Sequence, residues 1–187
     1  MPLSAGARTV EDRSHGVRPS GRLWLLPGVV LLAVMGAWGA TRYPHLPDRV
    51  PKHIGTGGVD AWAERSLGSA FMPVFVYAAV TVLMTACAEL TLRVTPRDEL
   101  PDDPEPFAVA PSPPLNRPGS RASARRIARS LLLLNTLVGV SFLVGCAILW
   151  RSTPDPHVPA WLFAALTVPI VAGTVLTVVA AVRDRNH

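Results

Sequence analysis

Charged residues are swept out of four long stretches of this chain. No Asp, Glu, Lys, Arg or His occurs from Leu23 to Thr41, from Ser66 to Ala88, from Ser130 to Trp150 or from Val158 to Val182. Each stretch has roughly 19 to 25 residues, and at ~1.5 Å rise per residue a helix of that length crosses a hydrocarbon core of ~30 Å. Four such helices in one small chain leave no polar face for water. The pattern predicts an all-α integral membrane protein with four transmembrane helices. Residues 23–92 form one two-helix membrane unit around an outer loop at 42–66, and residues 130–182 form a second. Residues 1–22 read as a disordered tail, 93–129 as a proline-rich linker and 183–187 as a closing tail.

The first stretch follows a 22-residue basic tail and exceeds the ~7–15 residues of a signal-peptide core, so it reads as an anchor rather than a cleaved leader. Composition agrees with the membrane assignment. Only 17% of the 187 residues are charged, 49% are hydrophobic and the mean hydropathy is +0.32, whereas soluble domains carry about 25% charged residues.

Charge sets an expected orientation. Of the 18 Lys and Arg residues, thirteen lie in the amino tail, the linker and the closing tail, and five lie in the two loops on the other side. The positive-inside rule therefore puts both termini and the linker in the cytoplasm and makes 42–66 a short structured extracytoplasmic loop. The net charge of +5 is a consequence of that bias. No arginine cluster interleaves with aromatics as a nucleic-acid stacking platform would, so nucleic acid is not an expected partner. Trp24, Trp38, Trp150 and Trp161 fall at expected interfaces.

Within the helices a few side chains invite specific readings. Ala33, Gly36, Ala37 and Ala40 offer a small-residue face for close packing in the bundle. Asn135 is expected to hydrogen-bond a neighbouring helix, and Glu89 to pair with Arg93 one turn on. Cys87 and Cys146 differ in depth by roughly 20 Å, well beyond the ~7 Å reach of a disulfide. Arg121, Arg125 and Arg129 share a helical face suited to anionic headgroups.

The loop "RYPHLPDRVPKHIGTGGVDAWAERS" is the one segment rich in polar candidates. Its prolines favour an extended arm and its glycines a tight turn. A helix capped by Asp60, with Glu64 in its first turn, is expected to run on into the second membrane helix. His53 and Asp60 are expected to hold the loop by bonding backbone groups, and Trp62 to sit among headgroups. His45, Asp48, His53, Asp60 and Glu64, with Asp155 and His157, could ligate a metal, but their spacing fits no specific zinc pattern. No Ser or Cys nucleophile stands in a telling context. No enzyme activity, catalytic residue, metal or cofactor is expected.

The pattern "LP…VP.H….G..D.W..R" resembles a bacterial membrane-protein domain of unknown function, shared with the immunity proteins that protect sporulating bacteria from their own toxin. The residues that carry it are Leu46, Pro47, Pro51, His53, Gly57 or Gly58, Asp60, Trp62 and the basic Arg65. The family usually has Lys near that last position and a bulky aromatic where Ile54 stands. The resemblance spans about residues 30–85, and the second membrane domain of the immunity proteins has no counterpart here. It implies a multi-pass protein of the bacterial cell membrane with a non-enzymatic recognition or structural role. Beyond the lipid bilayer, the implied partners are an extracytoplasmic peptide or another membrane protein. A transport-associated subunit and a metal-dependent envelope protein are the rival expectations.

Overall fold

The computed structural model describes residues 23–55, 58–100, 117–151 and 159–185. The expectations for the amino tail, most of the linker, Asp155 and His157 lie outside the described residues. Four helices span Leu26–Arg42 (α1), Leu67–Arg93 (α2), Arg121–Leu149 (α3) and Ala160–Arg185 (α4). All four are long and apolar enough to cross a membrane. Strands Arg49–Gly55 (β1) and Gly58–Glu64 (β2) form an antiparallel hairpin between α1 and α2, so the protein is mostly helical rather than all-α. Large apolar side chains such as Val82, Leu83 and Val168 are exposed on the bundle surface, an arrangement that suits lipid as solvent.

Helix α3 is the centre of the bundle and packs against the other three. Its Ser123, Asn135 and Ser141 lie inward. The Tyr77 hydroxyl donates to the Asn135 carbonyl at 3.2 Å, and Thr81 donates to the Asn135 side-chain oxygen at 3.3 Å. Asn135 therefore ties α3 to α2, as expected of an amide in an apolar bundle. Cys146 packs beside Met35 and neither cysteine is bridged. Glu89 and Arg93 stand 3.9 Å apart on an exposed face, a pair worth little.

The small-residue face of α1 is not the face that packs. Ala33, Ala37 and Ala40 are exposed, and a side chain added at Gly36 would meet nothing within 4 Å. The inward line is instead Gly28, Met35 and Gly39. Gly39 is required there, because a Cβ would come 2.8 Å from the Trp150 ring. Its absence lets that indole reach α2, where Nε1–H donates to the Ala70 carbonyl at 2.9 Å. Trp150 is thus buried in protein rather than placed at an interface.

At the opposite end of the bundle the described residues on either side of the linker are held together. A single 3-10 turn covers Arg97–Glu99. It is fixed to the segment entering α3 by Arg97 N–H to Pro118 O at 2.9 Å and Asp98 N–H to Gly119 O at 3.2 Å. Helix α3 starts at Arg121, with Ser120 as its cap, well before the apolar stretch. Arg121 is half-exposed, and its guanidinium grips Glu99 with two 2.8 Å bonds. Those bonds hold the Glu99 carboxyl below the ordinary carboxylate range.

Candidate functional site: an anchored hairpin at one end of the bundle

The chain leaves α1 through a 3-10 turn at Tyr43–His45 and then becomes extended. Leu46 and Val50 are almost wholly buried and join Met35, Ala70, Tyr77, Leu149 and Trp150 in one apolar cluster. Burying a side chain of that size is worth about 1.5–3 kcal/mol, so these two residues fasten the base of the hairpin onto three helices. Pro47 is half-buried beside Leu46, and Pro51 is buried.

Beyond that base the two strands pair from Arg49 opposite Glu64 to Gly55 opposite Gly58. The ladder is interrupted twice. Pro51 faces Trp62, the next pair is His53 with Ala61, and the next Ile54 with Val59. Lys52 on β1 and Asp60 on β2 are therefore extra residues, one on each strand, and the two offsets cancel. A proline lacks the N–H a ladder needs, so a bulge beside Pro51 is where one is expected. Trp62 and His53 stay exposed.

This geometry corrects the reading of the loop's second half. Residues 58–64 are strand, not the first turns of a helix. The cap of α2 is Ser66, whose hydroxyl accepts from the Ser69 N–H at 3.1 Å while Ser69 returns the bond to the Ser66 N–H at 2.9 Å. Asp60 lies six residues upstream of that cap, too far to serve α2. The period-two run Val59, Ala61, Ala63 wins because its small apolar side chains lie half-buried along one side of the strand, where packing overrides helix propensity.

The hub of the site is a residue whose role sequence reasoning missed. Arg65 donates from Nη1 to the Leu46 carbonyl at 2.6 Å, and its backbone N–H donates to the Asp48 carbonyl at 2.8 Å. The guanidinium carbon lies 5.9 Å from the centre of the Tyr43 ring. Asp48 adds an ion pair at 3.6 Å, but its side chain is 98% exposed and such pairs contribute little. Arg65 thus bridges the start and the end of the loop, and its main target is a backbone carbonyl.

Of the motif residues, Leu46, Pro47 and Pro51 build the base, Gly58 closes the pairing, and His53, Asp60 and Trp62 belong to the strands. Among the described residues no three His, Cys, Asp or Glu side chains gather closely enough to hold a metal ion. Inside the bundle, Tyr77, Thr81 and Asn135 are engaged with one another rather than lining a polar path.

A family described only as a domain of unknown function, DUF1648, matches residues 30–76. The match covers a quarter of the chain and takes in most of α1, the whole hairpin and the first turns of α2. Its description assigns no activity and does not connect the chain to immunity proteins. No curated protein and no solved structure matches.

Proposed function

We propose that this is a multi-pass protein of the bacterial cell membrane whose hairpin faces outward as a non-enzymatic recognition element. On this reading both termini and the proline-rich linker are cytoplasmic, in keeping with the arginine bias. The observation that carries the proposal is the contrast within the hairpin: a base sealed into the helices by Leu46, Val50 and Arg65, and a two-stranded body whose outer edges pair with no other described strand. An open strand edge is a template for an extended peptide, which adds main-chain bonds and seats alternate side chains. Pro51 takes an N–H from the β1 edge, which leaves β2, Gly58–Glu64, as the acceptor. The partner is an extracytoplasmic peptide or an extended segment of another membrane protein, and an immunity-like role is one form such recognition takes.

Two measurements test this. In a background with Cys87 and Cys146 replaced by Ala, a cysteine at Lys52 should react with a membrane-impermeant maleimide on intact cells, and one at Arg125 should react only after lysis. The reverse pattern refutes the orientation. The binding reading is tested by Glu64→Pro, which removes an outward-directed N–H from the β2 edge, since the Arg65 N–H beside it points inward to Asp48 O, against Lys52→Ala as control. In cells challenged with membrane-active peptides, Glu64→Pro should change susceptibility while the protein still accumulates in the membrane. Equal behaviour of wild type, control and variant across the panel would overturn a recognition role.

A further inference from the structure

At the end of the bundle far from the hairpin, α2, α3 and α4 splay around a cleft of about 420 Å³. Its walls are of two kinds. Leu90, Val94 and Ile127 supply an apolar side, and Arg97, Arg117 and Asp184 supply a polar one. Arg117 is only 9% exposed, an unusual degree of burial for a guanidinium. One of its terminal nitrogens donates to the Thr95 carbonyl at 3.3 Å, and Arg97 likewise donates to the Asp184 carbonyl at 3.2 Å. The Nε–H groups of both arginines are buried, and neither finds an acceptor among the described residues. Two buried charged donors without acceptors are costly and call for a partner.

The nearby acid does not supply it. Both carboxylate oxygens of Asp184 accept from the Gly119 N–H, at 3.0 and 3.2 Å, and no described ion pair joins Asp184 to either arginine. Arg121 is committed to Glu99. The cleft therefore has an excess of positive charge, two guanidinium groups in its lining and an adjoining apolar wall.

We infer that this cleft binds a phosphate group, held by the guanidinium groups of Arg97 and Arg117 that line it, and that the apolar wall suits it to the headgroup region of an anionic phospholipid. Guanidinium groups match phosphate oxygens in geometry as well as charge. Basic pockets between membrane helices are a recurrent way of holding anionic headgroups. The site is independent of the hairpin and of any partner bound there.

The test is a titration of the purified full-length protein in detergent, read by native mass spectrometry, with phosphatidylglycerol, phosphatidylcholine and inorganic phosphate as probes. One phosphatidylglycerol should bind in preference to phosphatidylcholine. Arg117→Lys keeps the charge but removes the planar multi-donor guanidinium, and it should weaken that binding at least about tenfold, the scale of one lost charge-assisted bond. Ala181→Trp crowds the exposed rim without touching either arginine, and should weaken the lipid but not inorganic phosphate. Melting temperatures of both variants distinguish lost binding from lost folding, and the lipid preference of the wild type needs neither variant. Phosphate binding that is sensitive to Arg117→Lys, with no added preference for lipid, would retain the anion site and discard the lipid. Equal binding of both lipids with no phosphate bound, or an Arg117→Lys protein as competent as wild type, would overturn the inference.

Discussion

Removing the Arg65 side chain should unfasten the hairpin without unfolding the bundle. Three interactions leave with it in Arg65→Ala. The Nη1–H bond to the Leu46 carbonyl is short, at 2.6 Å, and partly buried; a bond to a charged group contributes about 1.5–3 kcal/mol. Stacking over Tyr43 at 5.9 Å adds about 0.5–1 kcal/mol. The Asp48 pair is so exposed that screening leaves it near the bottom of the ~0–1 kcal/mol range for surface pairs. The backbone bond from Arg65 to Asp48 O survives any substitution. The local loss is therefore about 2–4 kcal/mol, or roughly thirty- to thousandfold in the opening equilibrium of the hairpin. Amide hydrogen exchange of the full-length protein in a lipid environment reads this directly. Amides of β1 and β2 should exchange faster by that factor, while those of α2 and α3 around Asn135 keep their protection. Arg65→Lys should fall between, because an ammonium lacks the planar fork, and Asp48→Asn should change protection by less than about fivefold. Unaltered strand protection in Arg65→Ala would refute the assignment of Arg65 as the clasp.

Three further outcomes are expected. Trp150→Phe removes the donor to the Ala70 carbonyl while keeping most of the apolar ring, and should cost about 0.5–1.5 kcal/mol in reversible unfolding from mixed micelles. Gly39→Leu should destabilise by about 1–3 kcal/mol through overpacking on Trp150 and Phe71, whereas Gly36→Leu, with open space beside it, should stay within ~0.5 kcal/mol. Glu99 has a lowered carboxyl pKa because it is held by Arg121, so its contribution is present above the ordinary carboxylate range and is lost as pH falls through the lowered value. Protection of the amides of Arg97–Glu99, corrected for the intrinsic pH dependence of exchange, should fall as pH drops through that lowered value, and Glu99→Gln should show the reduced protection at every pH.

How much of this was legible follows from what each feature depends on. The four spans are a property of composition over some twenty residues, and no tertiary contact is needed to see them. The hairpin was within reach, since Val59, Ala61 and Ala63 alternate and Gly55 and Gly58 bracket a turn. Alanine and glutamate in "DAWAERS" instead suggested a helix, and Asp60 looked like its cap. Ser66 and Ser69 form the true cap, a weaker-looking pair in sequence that prevails because β2 must end before α2 can begin. Trp150 resembled an interface residue; a glycine on another helix, more than a hundred positions away, draws it inside. Neither Arg65 nor Arg117 could be read from side-chain pattern, because each donates to a backbone carbonyl that any residue could supply.

That last point gives the arginines a second meaning. Their distribution reads as a topology determinant, and for that purpose only the charge matters. The structure assigns several of them to carbonyl oxygens that fasten one segment to another: Arg65 to Leu46, Arg97 to Asp184, Arg117 to Thr95 and Arg121 to Leu92. Lysine preserves the charge but not the rigid multi-donor fork, so replacing Arg97, Arg117 and Arg121 together by Lys separates the two roles. Membrane orientation, read by maleimide labelling at the positions above, should be unchanged. The connection between α2 and α3 should loosen, with about 1–3 kcal/mol lost at each bond that lysine fails to restore, seen as faster cleavage by an added protease at residues 94–100. A triple variant with wild-type protease resistance would mean that charge alone accounts for these three arginines.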